Sequence, residues 1–307
     1  MLTTYAIANY DPTKLTTLRN AFSMNLTRRF RELQIIIRYA IVHDDIFGLN
    51  PTNYAKLQSP GTQAFKYLSV QEKLVAFMDW VQQQINKGIL APEAGRQLTA
   101  SLDVAWSNVY VLSAYQRGVQ RARTELLRAN YAVPTIDASG GIGMITSNPL
   151  HLEKIQLLYT QVYNELKGVT DAMNQQISRI LTQSMIEGKN ADQIARRLIR
   201  VIGGPALELT DTLGRFIPAM RRAQMIARTE LTRSFHLGNI REFRNWQVTG
   251  VTVKAEWTTI GDDKVCSACS TLEGKVFTLD EIEGRIPLHP QCRCIALPII
   301  KKIRKVA

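Results

Sequence analysis

The chain has 307 residues and a formal net charge of +12, with 45% hydrophobic and 21% charged residues, a composition typical of globular proteins. No apolar run approaches the roughly 18 residues of a membrane-spanning helix, and the N-terminal residues lack the basic and apolar regions of a secretion signal. We therefore expect a folded cytoplasmic protein without a membrane span, whose charge, spread over both halves of the chain, favours a polyanionic neighbour.

The first 131 residues predict a bundle of three helices. Asp11 and Pro12 suit the start of a first long helix, a second is predicted over 69–87, and a third over about 92–131. Apolar residues recur there at steps of three and four, which places them on one face of each helix. These residues are Leu15, Leu18, Phe22, Leu26, Phe30, Leu33, Ile37 and Ile41, then Leu74, Phe77, Met78, Val81 and Ile85, then Leu98, Leu102, Trp106, Val109, Leu112, Tyr115 and Val119.

Residues 132–150 have no hydrophobic periodicity and contain three glycines within four positions. These glycines do not form a dinucleotide or phosphate-loop motif, because no basic residue follows them at the required spacing. We interpret this stretch as a linker between two domains, 1–131 and 151–307.

The second domain begins with helices and ends with strands. Helices are predicted from His151 to about Lys167, from Val169 to Glu187, from an Asn190 and Gln193 capping box onward, and over about 217–247. Beyond Gly250 apolar and polar residues alternate through Trp257, which predicts a half-buried strand, and short apolar pieces at 276–277 and 294–300 could add two more. The predicted fold class is mainly α with a small α+β C-terminal unit. Helices occupy 151–247, and a short antiparallel sheet within 250–300 carries a Cys/His cluster.

That cluster contains every cysteine of the chain. Cys266-x-x-Cys269 is followed, after 19 intervening residues, by His289-x-x-Cys292-x-Cys294. Two pairs of ligands, each separated by two residues, can converge on one tetrahedral ion, and thiolates with an imidazole suit Zn²⁺. The predicted ligands are Cys266, Cys269, His289 and Cys292, with Cys294 as the alternative ligand.

A fully ligated site with three cysteines and one histidine leaves no coordination position open to water, so we expect a structural zinc. The alternatives are reduced cysteines that only pack, disulfides formed in an oxidising medium, or a catalytic metal. No catalytic or cofactor-binding motif is found elsewhere, and we therefore predict no catalytic residues.

Two groups of basic residues are candidates for contact with nucleic acid. Lys301, Lys302, Arg304 and Lys305 form a basic tail, and Arg221 and Arg222 begin a stretch rich in arginine. Such residues can bind phosphates without reading sequence, or they can form an ordinary solvated surface. A DNA-binding module is thus an alternative to a purely structural protein.

Several of these segments together resemble a known family. Arg221-Arg-Ala-Gln-Met-Ile-Ala-Arg-Thr-Glu230 is followed by Cys266-x-x-Cys269, by Gly274-Lys-Val-Phe277 and by Leu288-His-Pro-Gln-Cys-Arg-Cys294. This order resembles the minor head or head morphogenesis proteins of tailed bacteriophages, the Mu F-like class, mainly over residues 151–300.

The resemblance implies a minor structural protein of the phage head, assembled in the host cytoplasm and located in the virion, in the capsid interior at the portal vertex. It would act in capsid assembly, packaging or ejection. The implied partners are the portal protein, the major capsid or scaffold protein, and double-stranded phage DNA bound without sequence preference. An enzyme is not expected. A metal-dependent enzyme, or one similar to ADP-ribosyltransferases through Arg228-Thr229-Glu230, is the remaining alternative.

Overall fold

The structure is a computed structural model that describes residues 13–49, 70–91, 105–203, 217–247 and 252–301. It is mainly helical, with three short strands towards its C-terminal end. Its helices are α1 (Thr16–Arg38), α2 (Val70–Gly88), α3 (Asn108–Arg128), α4 (Ile142–Thr146), α5 (Pro149–Ile186), α6 (Ala191–Gly203), α7 (Ala219–Gln247), α8 (Ser267–Ser270) and α9 (Leu279–Ile282), and its strands are β1 (Thr252–Thr258), β2 (Val276–Thr278) and β3 (Ile295–Lys301). Among the described helices, none combines the length and the apolar content needed to cross a bilayer.

The first two helices follow the prediction. α1 is continued by a π-helical turn at Tyr39–His43, and its apolar stripe from Leu15 to Ile41 is buried, except for the half-buried Leu18. The predicted starting residues Asp11 and Pro12 lie outside the described residues. In α2 Phe77, Val81 and Ile85 are fully buried, whereas Leu74 and Met78 of the predicted face are half-buried.

The third helix is shorter than predicted. α3 begins at Asn108, and Trp106 lies in a turn before it, while Leu98 and Leu102 fall outside the described residues. The Trp106 indole donates to the carbonyl oxygen of Ile89 at 2.9 Å, and its backbone N–H donates to that of Ala91. These bonds hold Trp106 in a buried turn. The prediction for Val109 was also wrong, since half of that residue is exposed.

The predicted break at Gly168 is absent from the structure, because α5 continues through it to Ile186. A single glycine within a helix costs only about 1 kcal/mol relative to alanine, and burial of Leu166 and Val169 on either side offsets this cost. The capping box of α6 is confirmed: the Asn190 side chain accepts from the Gln193 N–H at 2.9 Å, and the Gln193 side chain accepts from the Asn190 N–H at 3.2 Å.

Two compact units are present. The first comprises the described parts of Met1–Phe22, Ser107–Val162 and Met225–Ala307, and the second those of Ser23–Trp106 and Tyr163–Gln224. Residues 132–150, predicted as a linker, lie within the first unit and contain α4 and a 3-10 turn. The domains 1–131 and 151–307 stay a prediction about which parts of the chain fold independently.

The first unit contains the sheet, with strand order β2-β1-β3 and antiparallel pairing throughout. Val253, Ala255 and Trp257 are buried on one face of β1, which confirms the predicted alternation. This face belongs to a core that also includes residues of α3, α7, α9, β3 and the loops between β1 and β3, namely Ala122, Leu126, Ile240, Phe243, Cys269, Leu279, Ile282, Ile286, Cys292, Cys294 and Ala296. The predicted fold class, mainly α with a small antiparallel sheet and a nearby Cys/His cluster, is confirmed.

The second unit is helical. The Gln34 amide of α1 donates to the Ile199 carbonyl of α6 at 3.0 Å, and the Asn174 amide of α5 donates to Gln82 of α2 at 2.9 Å. Each bond satisfies a polar group at a junction between helices. Fully buried apolar side chains from all four helices form the interior of this unit: Phe30, Ile37, Ile41, Phe77, Val81, Ile85, Ile177, Leu181, Ile194 and Leu198.

Candidate metal centre

The first cysteine pair lies at the start of the short helix α8. Cys266 is the N-cap of this helix, and its Sγ accepts a hydrogen bond from the backbone N–H of Cys269 at 3.4 Å. The tight turn places both sulfur atoms on one side of the loop, which is the arrangement that a Cys-x-x-Cys pair adopts around a metal.

The second group of ligands lies in the loop 289–294, directly before β3. The backbone N–H of Cys292 donates to the carbonyl of His289 at 3.1 Å, and Gln291 adopts a left-handed conformation with φ of 63°. This turn brings His289 and Cys292 to the same side, and Cys294 follows at the edge of the sheet.

The two loops meet around Cys269. Its Sγ lies 3.2 Å from Nε2 of His289 and 3.9 Å from Sγ of Cys292, and Nε2 of His289 lies 3.3 Å from Sγ of Cys266. In a tetrahedral zinc site, bond lengths of about 2.3 Å to sulfur and 2.0 Å to nitrogen separate neighbouring ligands by about 3.5 to 3.8 Å. The observed distances are close to those separations.

All five predicted ligands therefore contribute to the cluster. They form two triads, Cys266–Cys269–His289 and Cys269–Cys292–Cys294, in each of which the ligand atoms lie within 4.8 Å of one another. The residues fit a zinc ion in both number and chemistry, because thiolates and a neutral imidazole are its preferred ligands. All four cysteines are free thiols in the structure. Which four side chains bind an ion stays a prediction.

A hydrogen bond prepares His289 for metal binding. Its Nδ1 lies 2.8 Å from the carbonyl oxygen of Pro290, which can only accept, so Nδ1 carries the proton. In a neutral imidazole this leaves the lone pair on Nε2, the atom that faces the thiols of Cys266 and Cys269. An outer hydrogen bond of this kind is usual for histidines that bind metals.

The four thiols differ in pKa. A hydrogen bond from Cys294 lowers the pKa of Cys292 to about 5, and the same bond raises the pKa of Cys294. Burial raises the pKa of Cys269 to about 12, whereas hydrogen bonds from Cys269 lower the pKa of Cys266. Each loop thus contains one thiol with a lowered pKa, Cys266 in the first and Cys292 in the second.

α7 holds the second loop in place. The Thr229 hydroxyl accepts a hydrogen bond from the backbone N–H of Gln291 at 3.0 Å, and Nε2 of His236 donates to the carbonyl of Cys294 at 3.1 Å. The sequence analysis missed both contacts. A signal was available for the first, since Thr229 and Gln291 belong to the two segments that carry the family resemblance most clearly.

The predicted nucleic-acid contacts are only partly described. Arg221 and Arg222 are exposed near the start of α7 and belong to the second unit, whereas the cysteine cluster belongs to the first. Lys301 ends β3, and its side chain, together with Lys302, Arg304 and Lys305, lies outside the described residues. Contact of these residues with DNA stays a prediction.

Residues 175–297 match the sequence model of the family described as phage Mu protein F like protein. This segment is therefore similar to a Mu F-like domain. All five candidate ligands and the Arg-Thr-Glu segment of α7 lie inside it. The resemblance predicted from the motifs is confirmed, over a somewhat shorter range than 151–300. The family implies a protein related to the phage head and a location in the virion.

A protein of Methanocaldococcus jannaschii, described as uncharacterized, is 24% identical to the chain over 184 residues. The alignment covers 60% of this chain and 26% of that protein. The chain thus spans about a quarter of the length of this curated relative, whose name assigns no activity. No solved structure matches the chain.

Proposed function

We propose that this protein is a minor structural protein of a tailed-phage head, located in the capsid interior at the portal vertex and adjacent to the packaged DNA. The observation that carries this proposal is the Mu F-like match, which encloses both the cysteine cluster and the helix segment bonded to it. The portal protein and the major capsid or scaffold protein are the proposed partners, and capsid assembly, packaging or ejection the proposed stage of action.

A zinc ion in the cluster would stabilise the C-terminal part of the domain. Within the described residues the sheet has three strands, and β2 contains only three residues, so few strand hydrogen bonds hold the two loops that carry the cluster. The cluster joins the loop before β2 to the loop before β3, so a bound ion would fix two connections at once. Cys266, Cys269, His289 and Cys292 would hold the ion, with Cys294 as the alternative ligand.

The proposed role is structural and not enzymatic. Four protein ligands fill a tetrahedral zinc site and leave no position for a reacting water molecule. Outside the cluster, the enzymatic alternative would require Glu230 of the Arg-Thr-Glu segment as a catalytic group. Its side chain is buried and paired with the Arg233 guanidinium at 3.2 Å. This ion pair supports a packing role for the Arg-Thr-Glu segment.

Purified particles provide the test of the head assignment. We expect the chain to copurify with virions in a few copies per particle, to be protected from protease until the capsid is opened, and to be lost from particles assembled without the portal protein. Quantitative mass spectrometry of both kinds of particle measures this. Absence from virions would overturn the head assignment, and retention without the portal protein would overturn the location at the portal vertex.

A further inference from the structure

A cleft of about 520 Å³ lies in the first unit beside the cysteine cluster. The first turn of α1, the middle of α7 and the loop 289–293 line it. Its volume falls within the range of about 300 to 1,000 Å³ that is usual for sites that bind small ligands.

Apart from the Cys292 thiol, whose pKa is lowered, the charged residues in the described lining of this cleft are cations. Arg19, Arg228, Lys264 and Arg293 contribute to its walls, and the described lining residues include no carboxylate. The remaining lining side chains are mainly polar, with threonine, asparagine and glutamine among them. A concave surface with one sign of charge concentrates ligands of the opposite sign.

The four cations differ in how they are held. Arg293 makes two bonds of 2.6 Å to the carboxylate of Asp262, a residue that is not part of the cleft lining, and Arg19 donates to the hydroxyl of Thr232 at 2.9 Å. Arg228 is exposed, and within the described chain its side chain has no hydrogen-bonding or ionic partner; Lys264 is exposed as well. Two cations are thus positioned by the protein, and two point their charge towards solvent.

The cleft also depends on the cysteine loop. Arg228 precedes Thr229, whose hydroxyl accepts the hydrogen bond from Gln291, so this bond connects one wall of the cleft to the other. His289 and Cys292 line the cleft as well. Whatever fixes the cysteine loop therefore fixes the distance between Arg228 and the opposite wall.

We propose that this cleft is a binding site for phosphoryl groups. Arg228 and Lys264 contact the phosphoryl oxygens directly, while Arg19 and Arg293 add positive potential from fixed positions. Guanidinium groups match the geometry of phosphate oxygens and bind them through two parallel hydrogen bonds, and an ammonium group adds a compact charge. The phosphoryl group belongs either to the backbone of DNA or to a small phosphorylated molecule. The site rests on the cleft alone and requires no particular role in a phage head.

Two double variants of the full chain test this site. Arg228→Gln with Lys264→Gln removes two charges from the cleft, and Arg221→Gln with Arg222→Gln removes two exposed charges elsewhere on α7. The probes are a fluorescein-labelled 20-base-pair DNA duplex, measured by anisotropy over a range of salt concentrations, and inorganic pyrophosphate, measured by calorimetry.

We expect the cleft variant to bind the duplex at least tenfold more weakly than the control variant does. Its affinity should also depend less on salt, with a slope reduced by about 0.9 for each lost phosphate contact. If pyrophosphate binding alone is lost in the cleft variant, the site binds a small phosphorylated ligand and the proposal stands. Equal behaviour of the two double variants with both probes would overturn it. If the cleft variant fails to fold, Arg228→Glu, a single change at an exposed residue, replaces it. This variant is compared with the control variant using the same two probes and the same criteria.

Discussion

Gly118 of α3 and Gly238 of α7 lie at the crossing of these two helices, where each faces the backbone of the other helix. A β-carbon at Gly118 would overlap the carbonyl oxygen of Phe235, and a β-carbon at Gly238 would overlap that of Tyr115. The Asn239 amide donates to the Gly118 carbonyl at 3.3 Å across the same contact. The approach of the two backbones requires the absence of a side chain at both positions.

We therefore expect Gly118→Ala and Gly238→Ala each to lower the free energy of unfolding by about 2 to 3 kcal/mol, because the helices must move apart to admit the methyl group. Gly168→Ala is the matched control, since Gly168 lies within α5 and a β-carbon there meets no atom within 4 Å. That change should raise the free energy of unfolding by up to about 1 kcal/mol. Urea unfolding measures all three, and equal effects would contradict the close crossing.

A buried ionic network lies in the same unit. The Glu242 carboxylate accepts from Arg123 at 2.7 Å, from Nε2 of His151 at 3.1 Å and from the Trp246 indole at 2.8 Å. Nδ1 of His151 lies 2.9 Å from the hydroxyl oxygen of Tyr115. Glu242 is completely buried, and each of its partners satisfies part of the charge that burial would otherwise penalise.

This network predicts a dependence of stability on pH. Burial opposes ionisation of Glu242, but hydrogen bonds from His151 and Trp246 and the charge of Arg123 hold its pKa below the usual value. The resulting stability is present above the unfolded pKa, about 4.3, and is lost as pH falls through the lower folded pKa. At pH 7, Glu242→Gln should cost about 3 to 5 kcal/mol, because Arg123 stays buried without a counter-charge.

The difference between the wild type and Glu242→Gln should become smaller as pH falls below about 4. Denaturant unfolding of both proteins at pH 7 and at pH 3 measures it. Asp171→Asn, which removes one partner of the exposed Lys167–Asp171 pair, serves as the control and should change stability little at either pH. A difference for Glu242→Gln that does not change with pH would show that folding leaves the pKa of Glu242 unshifted, and a difference that grows as pH falls would show that its pKa is raised; either result would contradict the network.

Thr229 tests the link between α7 and the cysteine loop. Thr229→Val preserves the shape of the side chain but removes the acceptor for the Gln291 N–H, at a cost of about 1 kcal/mol in unfolding free energy. We also expect weaker zinc binding, because the loop that carries His289 and Cys292 is less well positioned. Thr229→Ser retains the hydroxyl and should retain both properties. Competition with a chromophoric chelator measures zinc affinity, and identical affinities for the two variants would contradict the link.

Single cysteine variants identify the fourth ligand. Cys269 is shared by both triads, so Cys269→Ser should reduce zinc affinity most. Cys292 follows His289 at the same two-residue spacing as Cys269 follows Cys266, and its Sγ lies 3.9 Å from that of Cys269, close to the separation of two sulfur ligands on one zinc ion. Cys292→Ser should therefore lower zinc affinity more than Cys294→Ser does. In every variant zinc affinity should decrease as the pH is lowered, because the thiols then retain their protons. The reverse order would make Cys294 the ligand.

Periodicity was sufficient for the parts of the fold that local sequence determines. The spacing of apolar residues predicted α1, α2, α7 and the alternation in β1, because each pattern reports one buried face. It failed at Trp106 and Gly168. Hydrogen bonds to Ile89 and Ala91 hold Trp106 in a turn, and burial of the flanking residues keeps α5 continuous through Gly168.

In the candidate site too, local sequence predicted some features, and contacts between distant residues determined the others. The spacing of Cys266, Cys269, His289, Cys292 and Cys294 was enough to predict that they meet, since tight turns bring such pairs together. The bond from Gln291 to Thr229 joins residues 62 positions apart, and no local pattern reports such a pairing. Likewise, the cations of the cleft come from separate parts of the chain, and only the folded structure brings them together.

Metal analysis of the purified chain tests the zinc site most directly. We expect one zinc ion per chain from elemental mass spectrometry after purification without added chelator. We also expect a chelator to increase hydrogen exchange within residues 252–301 more than in α1 and α2, because metal binding and folding are coupled at such sites. A chain that contains no zinc, and whose exchange is unchanged by chelator, would contradict the account.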